Sequence, residues 1–446
     1  MFRLHLVLLY SIGFMTVAFG QAVPETVKLV ERFDPSKPYH VELRTNLSGR
    51  LGLLAPVGQT PNPVAVTGAS TLIYDERPLA ADDDKTNKAI RIYRTVDIQR
   101  NIGDREQKAE IRPDVRRMIV LRSEKGKKAP FSPDSSLMWN EIDVVRTDIY
   151  SPALVPGILP GKEVKPGDKW AASFAAVVEL TEIDTLDEGG LTVELVSIVT
   201  VANRKVARLS IAGTVKGANE DGPNRQKLEG TAYFDLEADR LTYLKLTGVH
   251  ELLTQKGEVS GRLEGTFTLS RQAATKWTEL NDESLRGIDL KPTAENSLLL
   301  YDNPDLGIHF LYPRRWRVGV VQGKQVTLDE PQGGGILLTV VPVARVQTGE
   351  QYRKEVQTYL LGQKAKVTAL GDVRLVSEKP VRLERFSLDA ELVSGKVRLE
   401  YAVASTADGG VTVAARLPAT EAADLQADVD RVLKNLSVVK VVEGKK

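Results

Sequence analysis

The densest collection of chemically able residues in this chain is the stretch DNPDLGIHFLYPRRW, residues 302–316. It places Gly307, His309, Tyr312, Pro313, Arg314, Arg315 and Trp316 within a few turns of chain. His309, Arg314 and Arg315 are its candidates for contact with a partner, because they stand off the apolar alternation of Ile308, Phe310 and Tyr312. His250 opens HELLT, half of a zinc-protease pattern, but that pattern needs a second His one helical turn later and position 254 is Thr254. ADDDKTNK (81–88) has the look of a calcium loop, yet counted from Asp82 the required Gly and Glu are Asn87 and Tyr93. GGGILL (333–338) lacks the Lys-Ser/Thr of a phosphate loop, and no Gly-x-Ser-x-Gly elbow occurs. His40 alternates with Tyr39, Val41 and Leu43, so it is expected on the wet face of a strand. With 59 acidic residues, a carboxylate pair for sugar hydrolysis could be drawn from anywhere, and spacing singles out none. No catalytic, metal or cofactor-binding residue is assigned, and no cofactor is expected.

The elements that must position any site come from a chain of 446 residues, long enough for about three domains. Lys plus Arg (60) balances Asp plus Glu (59), so no overall field recruits nucleic acid. Aromatic residues are only 6%, few for stacking bases or sugars. Residues 1–20 join Arg3 to an apolar run and a small-x-small site at Ala18-Phe19-Gly20, the pattern of an export signal. Cleavage there is expected to leave a soluble extracytoplasmic (periplasmic or secreted) chain with no transmembrane segment; an uncleaved anchor is the alternative. Export without a single Cys fits a bacterial envelope and rules out thiol chemistry.

Residues 23–150 read as a β-rich region, and 151–271 as an antiparallel meander curling into a barrel or half-barrel. VSGRLEGTFTLSR (259–271) alternates strictly, with Gly261, Leu263, Gly265, Phe267 and Leu269 on one side. Six such runs start near Trp170, Leu191, Lys205, Gln226, Leu241 and Val259. Whether the two blocks form one domain or two stays open, and a filled interior is the simpler reading of the inward glycines. DSSLMWNEIDVV predicts a short helix behind Asp134 or Ser135. The polar stretch 272–297 reads as a linker, and 441–446 as a tail.

The block 298–440 mixes strands with two helices. The first starts at a Thr348/Gln351 capping box, with Tyr352, Val356, Tyr359 and Leu360 on one face. The second carries Leu425, Val429, Val432, Leu433 and Leu436 on one stripe, with Glu421, Asp424 and Asp428 on its wet face. The opening pattern Gly307, Ile308, Phe310, Tyr312, Pro313 and Trp316, with the element order behind it, resembles the PsbP/Mog-like superfamily and its bacterial envelope members. The resemblance implies an α+β fold, an antiparallel sheet sandwiched by helices, and non-catalytic binding or assembly support. The N-terminal part, with LPGKEVKPGDKW (159–170), is similar to uncharacterised exported bacterial β-rich proteins.

The expectation is therefore an exported, non-enzymatic binding or assembly-support protein, its partner an unknown protein or apolar ligand of the cell envelope. A carrier of lipid or another apolar ligand in the middle half-barrel, and a hydrolase built from dispersed carboxylates, are the alternatives.

Overall fold

The computed structural model describes residues 25–31, 34–52, 63–79, 87–122, 130–146, 155–219, 222–363, 365–392 and 395–438. The expected export signal (1–20), the tail (441–446) and all but the end of ADDDKTNK lie outside these residues. The chain is mainly β, built from antiparallel sheets.

The largest sheet has eleven strands. In chain order they are β1 (Tyr39–Gly52), β2 (Pro63–Leu79), β3 (Asn87–Ile102), β4 (Arg105–Ala109), β5 (Arg117–Arg122), β6 (Lys169–Ala171), β7 (Thr185–Val201), β8 (Arg204–Asn219), β9 (Gly222–Asp235), β10 (Arg240–Leu253) and β11 (Val259–Ala273). Their spatial order is β4-β3-β2-β1-β11-β10-β9-β8-β7-β6, with β5 also on β3. The first long strand thus pairs with the last, from Tyr39 opposite Ala273 to Leu51 opposite Gly261. Residues 39–122 and 169–273 consequently share one sheet, and the six expected runs are its strands β6 to β11.

Alternation gives this sheet two distinct faces. Its inner face is filled at one end, where Val41, Leu43, Leu72, Tyr74, Leu209, Leu244 and Leu269 are buried in a single core. Two buried ion pairs lie at this base. The Arg91 Nε donates to Glu76 Oε2 at 2.6 Å with both side chains fully buried. Arg271 pairs with Glu31, equally buried, and its guanidinium lies 4.4 Å from the Tyr39 ring centroid. Glu31 Oε2 also accepts the Leu241 N–H at 3.1 Å, so the segment before β1 is tied across the end of the sheet.

Two helices and the connecting stretch depart from expectation. The helix α1 (Trp139–Arg146) begins after Met138 rather than at Asp134 or Ser135. Glu141 supplies the cap, its Oε2 accepting the Met138 N–H at 2.7 Å, while Asp134 is engaged with Arg117. The helix α2 (Phe174–Thr181) was not anticipated; Ser173 caps it through the Ala176 N–H. The stretch 272–297, read as a polar linker, docks on the outer face of β3 and β5. Leu280 and Leu285 join Ile90, Ile92, Ile119, Leu121 and Phe131 in a second core, and Arg77 donates to the Leu280 carbonyl at 2.7 Å.

The C-terminal part has two further sheets. A short one joins β12 (Leu299–Asn303), β13 (Ile308–Tyr312) and β22 (Ser437–Val438). The eight-stranded one runs β14 (Arg317–Gln322), β15 (Gln325–Asp329), β16 (Gly335–Val341), β21 (Gly409–Pro418), β20 (Gly395–Thr406), β19 (Arg382–Leu392), then β17 (Lys366–Leu370), with β18 (Arg374–Ser377) also on β19. Strands β12, β17 and β18 were not foreseen. Asn303-Pro304-Asp305 lies in the hairpin turn between β12 and β13. Gly307 adopts φ +67, a left-handed conformation that favours glycine, and its N–H donates to the Asn303 carbonyl at 3.0 Å.

The helix α3 (Gly349–Gly362) starts at the expected capping box, but only Val356 and Leu360 of its stripe are buried; Tyr359 is 64% exposed. The helix α4 (Ala422–Lys434) buries its expected stripe, including Leu425, Val429 and Val432. Asp428, assigned to its wet face, is instead buried. It accepts the Trp316 Nε1–H at 2.9 Å and pairs with Arg315 and Arg431. Trp316 is itself fully buried.

Replacing Arg271 by Met leaves the Glu31 carboxylate buried and unpaired, which should cost about 3–5 kcal/mol. The double variant Glu31→Met/Arg271→Met should recover most of that loss, read as the urea midpoint of the unfolding transition that β1 and β11 share.

Candidate functional site

Beyond Leu43 and Leu269 the inner face of the large sheet changes character. Its residues are mostly apolar or small, His250 and Gln226 apart, yet Thr45, Leu47, Leu51, Leu263, Gly265 and Phe267 are only half-buried. Register explains the shape. Gly68, Leu47, Gly265, Gly248, Leu228 and Gly213 lie in one row across β2, β1, β11, β10, β9 and β8. The missing side chains are replaced by neighbours lying flat. A Cβ built on Gly248 would stand 2.6 Å from Leu228 Cδ2, and one on Gly68 would stand 3.1 Å from Leu47 Cγ. Gly230 is covered in the same manner by Leu246, and Gly261 by Leu51. The result is a largely apolar floor in which leucines cover glycine backbone, at positions where glycine also lets the strands bend.

Over this floor lies a groove of about 200 Å³, lined by Leu47, Leu180, Leu228, Leu246, Leu263 and Phe267. Leu180 comes from α2, which forms one wall; the Thr181 carbonyl accepts the Gln226 Nε2–H at 2.6 Å and fixes that helix end to β9. His250, in the middle of β10, also lines the groove. It sits on a strand, so the HELLT likeness to a zinc helix ends there. Among the described residues no group of three or more His, Asp or Glu is disposed to hold a metal ion.

A larger hollow, about 580 Å³, lies against the same glycine row on the opposite, wet face. Its lining includes two carboxylates, Glu229 and Glu264. Each is already spent on a neighbour: Lys227 lies 2.8 Å from Glu229, and Arg262 lies 2.9 Å from Glu264. The Lys227 ammonium holds Glu229 below the usual carboxylate range, the reverse of what a general acid needs. We read this hollow as the outside of the bend.

The residues singled out in 302–316 are placed elsewhere. The partly buried Arg314 donates Nε to the Ser297 carbonyl at 2.7 Å and Nη2 to the Pro130 carbonyl, clamping β13 to the loop before α1. Burial pushes its guanidinium down to about 10. Arg315 is taken up by Asp428 and the Asp424 carbonyl. His309 stands on β13 opposite Asp302 and Ser437. Arg317 stacks 3.8 Å from the Trp139 ring centroid, a further tie across the same junction. His40 shares Asp75 with Arg94, its Nδ1 2.8 Å from Asp75 Oδ1. The structure brings none of these residues to the groove. The groove residues were visible in the sequence only as period-two alternation, which does not distinguish a filled face from an open one.

No family model matches the chain, and no curated protein matches it. Among solved structures, cyanobacterial PsbP from Synechocystis sp. PCC 6803 is similar at 14% identity over 32% of this chain and 92% of its own, with a TM-score of 0.25. A lipovitellin structure on lipid–protein interactions is similar at 10% identity over 55% of this chain, with a TM-score of 0.31; the match spans 26% of the lipovitellin chain. DynF of the dynemicin pathway of Micromonospora chersina is 9% identical over 58% of this chain and 92% of its own, with a TM-score of 0.14. Similarity at this level assigns neither fold family nor ligand.

Arg314→Ala removes charged donors from two carbonyls and should destabilise by about 2–3 kcal/mol. Arg315→Ala should cost less, about 1 kcal/mol, because its side chain is 41% exposed and the buried Asp428 keeps Trp316 and Arg431. Urea unfolding of the two variants side by side checks the contrast.

Proposed function

We propose that this chain is an exported, non-catalytic binding protein of a bacterial envelope that holds an apolar chain, of the kind found in lipids, along the inner face of its large sheet. In this reading the strands from 39 to 273 act as a half-barrel, and 298–440 is a PsbP/Mog-like α+β domain that supports its assembly. The observation that favours it is the leucine-on-glycine floor: Leu228 and Leu246 are buried against glycines of the next strand, while Leu47, Leu263 and Phe267 beside them stay half-exposed over the groove. A protein interior normally closes such a face, because exposed apolar area costs about 25 cal/mol per Å². A linear hydrocarbon lying in the groove recovers that cost without needing any polar partner.

The neutral fluorophore N-phenyl-1-naphthylamine tests the reading. The full chain should bind it with enhanced emission, and Leu263→Glu should weaken binding about tenfold or more by placing a carboxylate in the floor. Leu263 is half-exposed, so the variant should unfold near the wild-type urea midpoint. No enhancement with the wild type, or unchanged affinity in the folded variant, would falsify the proposal.

A further inference from the structure

The two faces of the large sheet differ in charge as well as in wetness. The outer face carries both signs in paired rows, among them Arg225–Glu251, Lys227–Glu229 and Lys108–Glu106. Among the described residues, strand alternation puts no acidic side chain on the open half of the inner face. On β1, β2, β11, β10, β9 and β8 its positions are Thr45, Leu47, Gly49 and Leu51, then Val64, Val66, Gly68 and Ser70, and onward through Leu263, Gly265, Gly248, His250, Gln226, Leu228, Gly213 and Val215. Among the described strand positions of that half, the formal charges are Arg100 and Arg105.

Their placement follows from register. On β3 the inner series is Val96, Ile98, Arg100 and Ile102, and Ile98 packs on the core, which fixes the side on which Arg100 lies. On β4 Arg105 faces Ile102, and Gln107 faces Arg100. Both arginines are exposed, and neither makes an ion pair or side-chain hydrogen bond with another described residue. Arg100 stands opposite Gly68, in the same row as Leu47, Gly265, Gly248 and Leu228. With strands about 4.8 Å apart, the row from Leu228 to Arg100 runs roughly 24 Å along the sheet. Only the flat Leu47 side chain covers Gly68, between the floor and the cation.

Resting on the apolar-chain reading above, we propose that the ligand is an anionic amphiphile, its hydrocarbon on the leucine-and-glycine floor and its acid group at Arg100 and Arg105. An acid-free apolar surface ending in two unpaired guanidinium groups is complementary to a long-chain carboxylate or phosphate monoester and repels a cationic amphiphile of equal length. Guanidinium is the suited cation, since its planar fork matches both anions and stays charged at any physiological pH.

Three probes of one chain length separate the two readings: dodecanoate, dodecanol and dodecyltrimethylammonium, each below its micelle concentration, competing with N-phenyl-1-naphthylamine on the full chain. Dodecanoate should bind about tenfold tighter than dodecanol, the factor that two solvent-accessible Arg–carboxylate contacts support. Dodecyltrimethylammonium should bind weakest. Arg100→Gln/Arg105→Gln should bring dodecanoate to the affinity of dodecanol and leave dodecanol unchanged. Equal binding of acid and alcohol by the wild type, or a variant that keeps its preference for the acid, overturns the anionic assignment while the apolar groove stands. Failure of all three probes to bind removes the groove as well.

Discussion

The pairing of β1 with β11 is the constraint on which the rest of this structure depends. It joins strands more than two hundred residues apart, and it places them at the middle of the sheet rather than at an edge. One register then decides every row: Leu43 meets Leu269 in the filled half, and Leu47 meets Gly265 in the open half. A slip by one residue would turn the apolar series of both strands to water. The two meanders on either side are local hairpins that could form early, whereas this central pair closes a long loop and should form late. The base of the sheet is arranged to hold that closure. Glu31, just before β1, reaches Arg271 near the end of β11 and the Leu241 amide of β10, so one carboxylate ties three segments.

From that base the inner face passes from closed to open along the strands. Large side chains and the two buried ion pairs occupy the first half; glycine and recumbent leucine occupy the second. The physical difference lies in which residue the register sets beside which. Leucine beside leucine fills space, as at Leu43 and Leu269, while leucine beside glycine covers backbone and leaves space above it, as at Leu228 and Gly248. Charge follows the same division, since ionised groups of the filled half are paired and buried and those of the open half are two arginines on one flank.

Much of this architecture was legible in the sequence, because period-two alternation and turn clusters are local signals. Strands β6 to β11, the capping box at Thr348 and the buried stripe of α4 all follow from spacing within a single segment. What escaped notice depended on partners distant in sequence. Asp428 was assigned to water by its charge, although its spacing from Leu425 and Val432 puts it on the apolar stripe; Trp316 and Arg315, over a hundred residues away, make that burial tolerable. Arg314 likewise resembles a free cation until Pro130 and Ser297 are brought to it. The stretch 272–297 has too few apolar residues to announce a packed segment, yet Leu280 and Leu285 suffice once β3 and β5 present an isoleucine face. The opening of the groove was the least legible feature, because alternation reports which side a residue faces and says nothing about what its cross-strand neighbour lacks.

The special residues of 302–316 are thus taken up in packing and clamping, and the candidate site emerged from glycines in another part of the chain. Native mass spectrometry of the full chain, purified from its native source without detergent, tests the central claim most directly. The account predicts a mass excess that organic solvent removes and that proves to be an amphiphile with a hydrocarbon chain. A bare polypeptide mass, with no uptake after incubation with a total lipid extract, would contradict it.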